Sequence, residues 1–166
     1  MMTMLVDVST VLPCPIADVI VHVRTPRLLE YVAKPIVRFV PLSPDAFPAV
    51  WQEGTYWVKL RLLGFIPFGR QAVVITYLPH PNGFSARDNG HSRLIARWDH
   101  TITIEPASNG TLYRDRVDIA AGPLTPIIWA FAQIFYRHRQ RRWRKLVQQG
   151  FAYGPPKPAC IGGAQP

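Results

Sequence analysis

The chain is short of acidic residues, of cysteines and of long hydrophobic runs, and each shortage argues against a class of site or segment. Ten acidic residues stand against nineteen lysines and arginines, for a formal net charge of +9. Cys14 and Cys160 lie near opposite ends in no CxxC or Cys/His spacing, so we expect no metal site and a reducing compartment. The longest uncharged apolar stretch, residues 122–136, is shorter than the roughly 18–20 residues of a membrane-spanning helix. No signal-peptide pattern is present, so a cytoplasmic protein is expected.

Motifs for nucleophilic catalysis and phosphate binding are also missing from the sequence. There is no GxSxG, no cysteine paired with a histidine by motif and no phosphate-binding glycine loop. We therefore expect no cofactor. Six of the nineteen basic residues lie between Arg137 and Lys145, so most of the charge excess is local. A solvated helix face explains this cluster better than a nucleic-acid site does, and no nucleic acid is expected as a partner.

What the sequence does contain is typical of a folded α+β domain. Hydrophobic residues make up 48% of the chain and charged residues only 17%, which indicates a packed core. Seventeen prolines and eleven glycines predict many turns, and therefore short strands rather than a helical bundle. The length fits one domain, which we expect to span residues 1–150, followed by a loose Pro- and Gly-rich tail at 151–166.

The predicted elements follow the order strand, two short helices, about six consecutive strands and one long helix. Alternation of apolar and polar residues predicts the first strand over Met4–Leu12. The two short helices are predicted over Ile16–Val23 and Pro26–Val32. Turn signals separate the later strands, among them Asn89-Gly90 as a two-residue hairpin turn and Gly64–Gly69 as an apolar turn.

A long helix is predicted within residues 122–150, the segment around which the other elements are arranged. Thr125 is the predicted cap, Pro126 suits the first turn, and Gly150 is the predicted stop. Consecutive strands joined by short turns make an antiparallel sheet, which can bury its apolar face by curling around one helix. The expected fold class is therefore α+β.

This order of elements, together with several short stretches, resembles the helix-grip fold of the START-like (SRPBCC) superfamily, and in particular its bacterial polyketide cyclase/dehydrase-like branch. The stretches that carry the resemblance are Gly54–Leu62, the Gly64–Gly69 turn, Trp98–His100, Gly110-Thr111 with Asp115, and Tyr136–Arg139. The resemblance covers about residues 4–147. It implies a curved antiparallel sheet of about seven strands wrapped around the C-terminal helix, with a cavity between them for a small hydrophobic or amphipathic molecule. It does not imply one activity, because this fold hosts carriers, sensors and enzymes.

Three polar residues, His100, Tyr113 and Asp115, fall on the predicted inward face of the sheet. They are candidates for acid–base catalysis or for orienting a ligand. The simpler interpretation is a structural contact, because a buried carboxylate must be hydrogen-bonded or paired. Asp115 would then accept hydrogen bonds from a basic residue of the helix, and His100 would bond to the backbone.

Helical periodicity places His138 and Arg142, one turn apart, at the polar end of an apolar stripe that includes Ile127 and Ile134. These two residues would turn inward, either as the cationic end of an amphipathic pocket or as partners of sheet carboxylates. The candidate ligand-binding residues combine inward polar groups with apolar wall residues. They are Trp57, Phe65, Phe68, Trp98, His100, Tyr113, Asp115, Ile128, Phe131, Phe135, His138 and Arg142.

Three functions remain open from the sequence. The favoured one is binding, as a carrier or sensor, of a small hydrophobic or amphipathic molecule in the cavity between the sheet and the helix. The alternative is a cyclase, dehydratase or isomerase that acts on a polyketide-like or other hydrophobic substrate in the same cavity. The third is weak contact with an anionic membrane, or with nucleic acid, through the basic end of the helix. No oligomeric state is indicated.

Overall fold

A computed structural model describes residues 2–154 of the chain. In chain order its elements are β1 (Met4–Leu12), α1 (Ile16–Val23), α2 (Pro26–Ala33), β2 (Val37–Ser43), β3 (Gly54–Leu62), β4 (Ile66–Leu78), β5 (Phe84–Ser92), β6 (Arg97–Ala107), β7 (Gly110–Ala120) and α3 (Thr125–Gln148). A short 3-10 turn, Gly122–Leu124, precedes α3. The order of elements predicted from the sequence is confirmed.

The seven strands form one curved antiparallel sheet in the order β1-β7-β6-β5-β4-β3-β2. Only β1 pairs with a strand distant in sequence, because every other neighbouring pair is consecutive along the chain. The helix α3 packs against the sheet near β1, where the side-chain amide of Gln140 donates to the Val8 carbonyl at 2.9 Å. The indole of Trp129 donates to the Leu5 carbonyl at 2.8 Å on the same strand. The predicted helix-grip α+β fold is confirmed.

The C-terminal end of α3 agrees with the prediction from the sequence, whereas the N-terminal end differs from it. Gly150 has a φ of 59°, in the left-handed region where glycine commonly ends a helix. Thr125 is the first helical residue and not the cap. Its hydroxyl donates to the Gly122 carbonyl at 2.7 Å and accepts from the Ala121 N–H at 2.9 Å. The 3-10 turn runs directly into α3, so the cap position falls on Leu124, one residue before the predicted cap.

Two clusters of buried side chains fill the space between α3 and the sheet. One lies under the first half of α3 and includes Tyr56, Trp98 and Phe135. The other lies under the second half, where α1 and α2 also pack, and includes Trp143 and Leu146. Burial of apolar surface is the main force that holds the helix on the sheet. The two short helices thus close one end of the curved sheet.

The predicted hairpin turn at Asn89-Gly90 is wrong, because β5 continues through both residues to Ser92. The chain reverses at residues 93–96, where the Ser92 N–H donates to the Ile95 carbonyl at 2.8 Å. Glycine is needed at position 90 because a Cβ there would lie 2.9 Å from the Ala72 carbonyl oxygen of β4. Close approach of a neighbouring strand, and not a turn, explains this glycine.

The predicted turn over Gly64–Gly69 is shorter than expected. Strand β4 already begins at Ile66, and its pairing with β3 shifts register between Leu60 and Arg61. The tight part of the turn is centred on Leu63 and Gly64, both with positive φ. The apolar residues from position 66 onward therefore belong to β4, and only three residues connect β3 to β4.

The segment after α3 begins with packed residues. The ring of Phe151 stacks on His22 with centroids 4.2 Å apart, and the Tyr153 hydroxyl lies 2.7 Å from Nδ1 of the same histidine. Residues 155–166 of the predicted loose tail lie outside the described residues, and the domain boundary at residue 150 stays a prediction.

Replacement of Gly83 by alanine is expected to destabilise the fold by roughly 2–3 kcal/mol, because the new Cβ would overlap the carbonyl oxygen of Ile104. Gly154→Ala is the matched control, since no atom lies within 4 Å of a Cβ at that position. Urea unfolding of both variants measures the difference. Equal stability of the two variants would contradict the close approach of residue 83 to β6.

Candidate ligand-binding site

An apolar pocket of about 250 Å³ lies between the first half of α3 and the β2, β3 and β4 side of the sheet. Most of its wall consists of aromatic and aliphatic side chains that alternation brings to the inner face of the strands. These include Phe39, Leu62, Phe68, Ile128, Phe131 and Phe135. The wall of this pocket is therefore mostly apolar.

The polar groups of this pocket are gathered at its buried end. Gln71, Trp98, Tyr136 and Arg139 line it and are all buried, whereas Ile127 lines it and is 68% exposed. The Trp98 indole donates to the Tyr136 hydroxyl at 3.2 Å. The pocket is thus amphipathic, with an apolar mouth and a polar inner end.

A second, smaller pocket of about 80 Å³ has one lining residue in common with the first. It lies between the sheet and the two short helices, and Asp88, His100 and Tyr113 are among its lining residues. Arg139 lines both pockets, so its side chain lies between them. The smaller pocket has room for only a few water molecules.

Asp115 is fully buried and organises the polar core beneath the smaller pocket. Its Oδ1 accepts hydrogen bonds from His100 Nε2 at 2.8 Å and from the Tyr113 hydroxyl at 3.1 Å. Its Oδ2 accepts from Gln140 Nε2 at 3.1 Å. Burial by itself raises the pKa of Asp115, but the hydrogen bond from His100 and the positive charge of Arg139 outweigh it and hold this pKa below its ordinary value. The carboxyl is therefore ionised.

The neighbours of Asp115 are neutral at physiological pH. Burial lowers the pKa of His100, and this outweighs the opposing effect of the Asp115 carboxylate. Because an ionised carboxylate only accepts hydrogen bonds, Nε2 of His100 carries the ring proton and Nδ1 is left as an acceptor. Burial also raises the pKa of Tyr113 well above its ordinary value, so this hydroxyl remains a donor.

Arg139 is the buried cation of the site, with a residue exposure of only 8%. Its Nε–H has no hydrogen-bond partner among the described residues. The guanidinium carbon lies 4.9 Å from the centre of the Tyr136 ring and 5.7 Å from that of Phe135. Burial by itself lowers the pKa of Arg139, but the combined effects of Asp115, Tyr113, Tyr136 and Asp88 outweigh it, and the pKa is raised. The guanidinium therefore stays charged inside the protein.

Asp88 lines the smaller pocket together with Arg139. Its Oδ1 accepts from the Val74 N–H at 2.7 Å. Burial raises the pKa of Asp88 to about 7, although the Val74 hydrogen bond and the charge of Arg139 both oppose this. This carboxyl is therefore half ionised near neutral pH.

The structure separates the predicted site residues into groups. Those that line the larger pocket are Phe68, Trp98, Ile128, Phe131 and Phe135. His100 and Tyr113 line the smaller pocket, and Asp115 has no exposed surface and lines neither. The hydrogen bond between His100 and Asp115 is thus present, but it lies apart from the larger pocket.

Two aromatic residues predicted for the site lie away from both pockets. Trp57 is on the outer face of β3, where it is 40% exposed and packs edge-on against His91. Phe65 is 70% exposed in the turn between β3 and β4. Trp57 alternates along β3 with the buried Tyr56 and Val58, so its position in the strand puts it on the outer face despite its aromatic character.

The prediction that His138 and Arg142 turn inward is wrong. His138 Nε2 donates to the Lys34 carbonyl at 2.7 Å, and Arg142 Nε donates to the Tyr31 carbonyl at 2.8 Å. Both side chains thus satisfy carbonyl groups near the end of α2, which lack partners within that helix. The helix also exposes Ile127 and Ile134, which had defined the stripe.

The sequence interpretation missed Arg139, Gln140, Asp88 and Gln71. For Arg139 a signal was present, because it lies four residues from Phe135 and four from Trp143, both buried on the same helix face. An arginine between two such aromatic residues must lie beside the core. For Asp88 the false turn at residues 89–90 hid the inward position.

Among residues 2–154, no group of three or more His, Cys, Asp and Glu side chains is arranged to hold a metal ion. Within the same range, the helices are all too short or too polar to span a bilayer.

Comparisons with known proteins agree with this architecture. A family model described as "Domain of unknown function (DUF8410)" matches residues 12–147. No curated protein matches the sequence. A START superfamily protein from Mycobacterium smegmatis is 11% identical, with a TM-score of 0.56 over 87% of this chain and 97% of that one.

Two other solved structures have the same fold. Norcoclaurine synthase from Thalictrum flavum, a point mutant in complex with a transition-state analogue, is 8% identical, with a TM-score of 0.61 over 91% of this chain and 98% of that one. Ara h 8.0201 is 10% identical, with a TM-score of 0.60 over 89% and 99%. At these identities the comparisons establish the START-like fold that the sequence resembles.

Asp88→Asn is expected to be more stable than the wild-type protein at pH 8, and the gain should shrink toward pH 5. Folding raises the pKa of Asp88 from its ordinary value of 3.8 to about 7, so the wild-type protein loses stability as the pH rises between these two values. An asparagine amide does not titrate and has no such cost. The change in relative stability between pH 5 and pH 8 should be about 1–3 kcal/mol, measured by urea unfolding.

Asp99→Asn is the control for this prediction. Arg87 lowers the pKa of Asp99 through a hydrogen bond and its charge, so loss of this carboxylate should bring no gain at pH 8. A stability difference for Asp88→Asn that does not vary with pH would contradict the raised pKa.

Proposed function

The chain belongs to the DUF8410 family, and from its fold and its pocket we propose that it binds a small hydrophobic or amphipathic molecule between the sheet and α3, as a carrier or sensor. The observation that carries this proposal is the pocket of about 250 Å³, whose wall is apolar except at its buried end. Such a wall favours transfer of an apolar ligand from water.

The fold neighbours support the same function. The norcoclaurine synthase structure contains a bound transition-state analogue, so this fold accommodates a small organic molecule in at least one neighbour. Ligand pockets commonly measure about 300–1,000 Å³. The pocket of this protein is near the lower limit, which favours a compact ligand or a chain of about ten carbons over a sterol or a phospholipid.

Isothermal titration with 1-decanol tests the binding function directly. Leu62→Trp is expected to weaken binding at least tenfold, because Leu62 lines the pocket and a larger side chain would fill it. Leu63→Trp is the matched control, since Leu63 is the next residue, is exposed and lies outside the pocket lining. Native mass spectrometry of freshly purified protein would identify a co-purified ligand.

Equal decanol binding by the two tryptophan variants would contradict the proposed site. Absence of decanol binding by the wild-type protein, with no co-purified molecule, would contradict the function itself.

A second candidate function is acid–base catalysis, favoured by the hydrogen bond between His100 and Asp115. The neutral His100 ring has an acceptor nitrogen, and its orientation is held by a buried carboxylate, as a general base requires. The small pocket beside His100, of about 80 Å³, ranks this function below binding, because it leaves little room for a substrate. Conversion of a recovered ligand by the wild-type protein, and its loss in His100→Gln, would support catalysis.

Contact with an anionic surface through the basic end of α3 has less support. Arg139 is buried, Arg142 donates to a backbone carbonyl, and Arg144 donates to the Thr10 hydroxyl at 2.8 Å. Only part of the basic cluster is therefore available to an external partner, and the cluster contributes to packing as well as to solubility.

A further inference from the structure

We propose that the pocket selects ligands that end in a carboxylate, and that this carboxylate pairs with the guanidinium of Arg139 at the inner end of the pocket. The proposal rests on the binding function above and adds the chemical class of the ligand. It starts from a buried cation whose hydrogen-bonding capacity the protein itself leaves incomplete.

Arg139 lacks the partners that a buried guanidinium requires. Its Nε–H has no acceptor, and no carboxylate oxygen among residues 2–154 lies within 4.0 Å of its nitrogens. A buried charge is normally paired and hydrogen-bonded, because desolvation is otherwise very unfavourable. The two aromatic rings beside it offset part of this cost by cation–π contact. They supply no acceptor for the N–H groups.

The carboxylates of Asp115 and Asp88 do not supply the hydrogen-bond acceptor that the Arg139 guanidinium lacks. Asp115 already receives hydrogen bonds from His100, Tyr113 and Gln140, which hold both of its oxygens. It therefore compensates Arg139 by charge at a distance. Asp88 is bonded to the Val74 N–H and is only partly ionised at neutral pH. A ligand carboxylate would supply the missing acceptor and the missing charge together.

A carboxylate fits this site better than other anions. The guanidinium presents a planar fork of donors that matches two carboxylate oxygens. The side-chain amide of Gln71 lines the same end of the pocket and can offer one more donor. A phosphate would bring up to two charges to one arginine, with Asp88 and Asp115 close by, so repulsion would oppose it. The remaining wall suits an aliphatic or aromatic tail.

The titratable groups around Arg139 predict how pH affects its pairing with a ligand carboxylate. Asp88 faces it from β5, His100 from β6, and Tyr113 and Asp115 from β7. Asp88 is the member of this set whose pKa lies near neutrality, since burial lowers the pKa of His100 and raises that of Tyr113, and the pKa of Asp115 is held below its ordinary value. As Asp88 ionises it attracts Arg139 and repels an incoming carboxylate. Carboxylate affinity should therefore fall as pH rises through about 7.

The test compares decanoate with 1-decanol, two probes with the same ten-carbon chain, by isothermal titration at pH 6. The wild-type protein is expected to bind decanoate about 10- to 100-fold more tightly, the range expected for a charge-assisted hydrogen-bonded pair. In Arg139→Gln the ratio of the two affinities should fall to about one. Arg137→Gln is the matched control on the same helix, because Arg137 is exposed and bonds to Gln133; it should keep the ratio.

A second variant tests the proposal without altering the arginine. At pH 8, Asp88→Asn should raise the decanoate-to-decanol ratio about 3- to 10-fold, whereas at pH 5.5 it should change the ratio little. This readout stands even if Arg139→Gln does not fold, and a purely structural role for Arg139 would not produce it.

The outcomes separate the two proposals. Binding of decanol with no preference for decanoate, or a preference that Arg139→Gln retains, would overturn carboxylate selection and leave the binding function in place. Failure of the wild-type protein to bind either probe, with no co-purified molecule, would overturn both.

Discussion

The buried carboxylate of Asp115 is the interaction on which the arrangement of the site depends. It joins β7 to β6 through His100 and joins the sheet to α3 through Gln140, whose amide also reaches the Val8 carbonyl of β1. Breaking a buried charged contact of this kind typically costs about 3–5 kcal/mol. The network therefore fixes the position of α3 over the sheet and, with it, the residues that α3 presents to the two pockets.

The same network explains why a cation can remain inside the protein. Asp115 supplies the negative charge that keeps Arg139 ionised, but its oxygens are occupied by neutral donors. Asp115 thus compensates the charge of Arg139 without accepting its hydrogen bonds. The charge compensation stabilises the protein, and the N–H of Arg139 remains open to a ligand at the inner end of an apolar pocket. Asp88, with its raised pKa, changes the negative charge near Arg139 as the pH passes through neutrality.

The sequence predicted the fold well and the site in part. Strand alternation correctly placed His100, Tyr113 and Asp115 on the inner face, because a side chain's face in a strand follows from its parity. The helix was harder to interpret. Its exposed Ile127 and Ile134 resemble core residues, while its buried Arg139 and Gln140 resemble surface residues. Hydrophobicity alone misassigns such positions, since long polar side chains pack by their stems and aromatic neighbours.

By itself the sequence determined the order of the elements, the antiparallel sheet, the stop of α3 at Gly150 and the inward polar residues of β6 and β7. These follow from local chemistry, that is from side-chain periodicity, turn residues and the conformational freedom of glycine. Only the tertiary structure decided which face of α3 meets the sheet, because that rotation depends on contacts with β1, α2 and β7 together. For that reason Arg139, and not His138 or Arg142, lies at the end of the pocket.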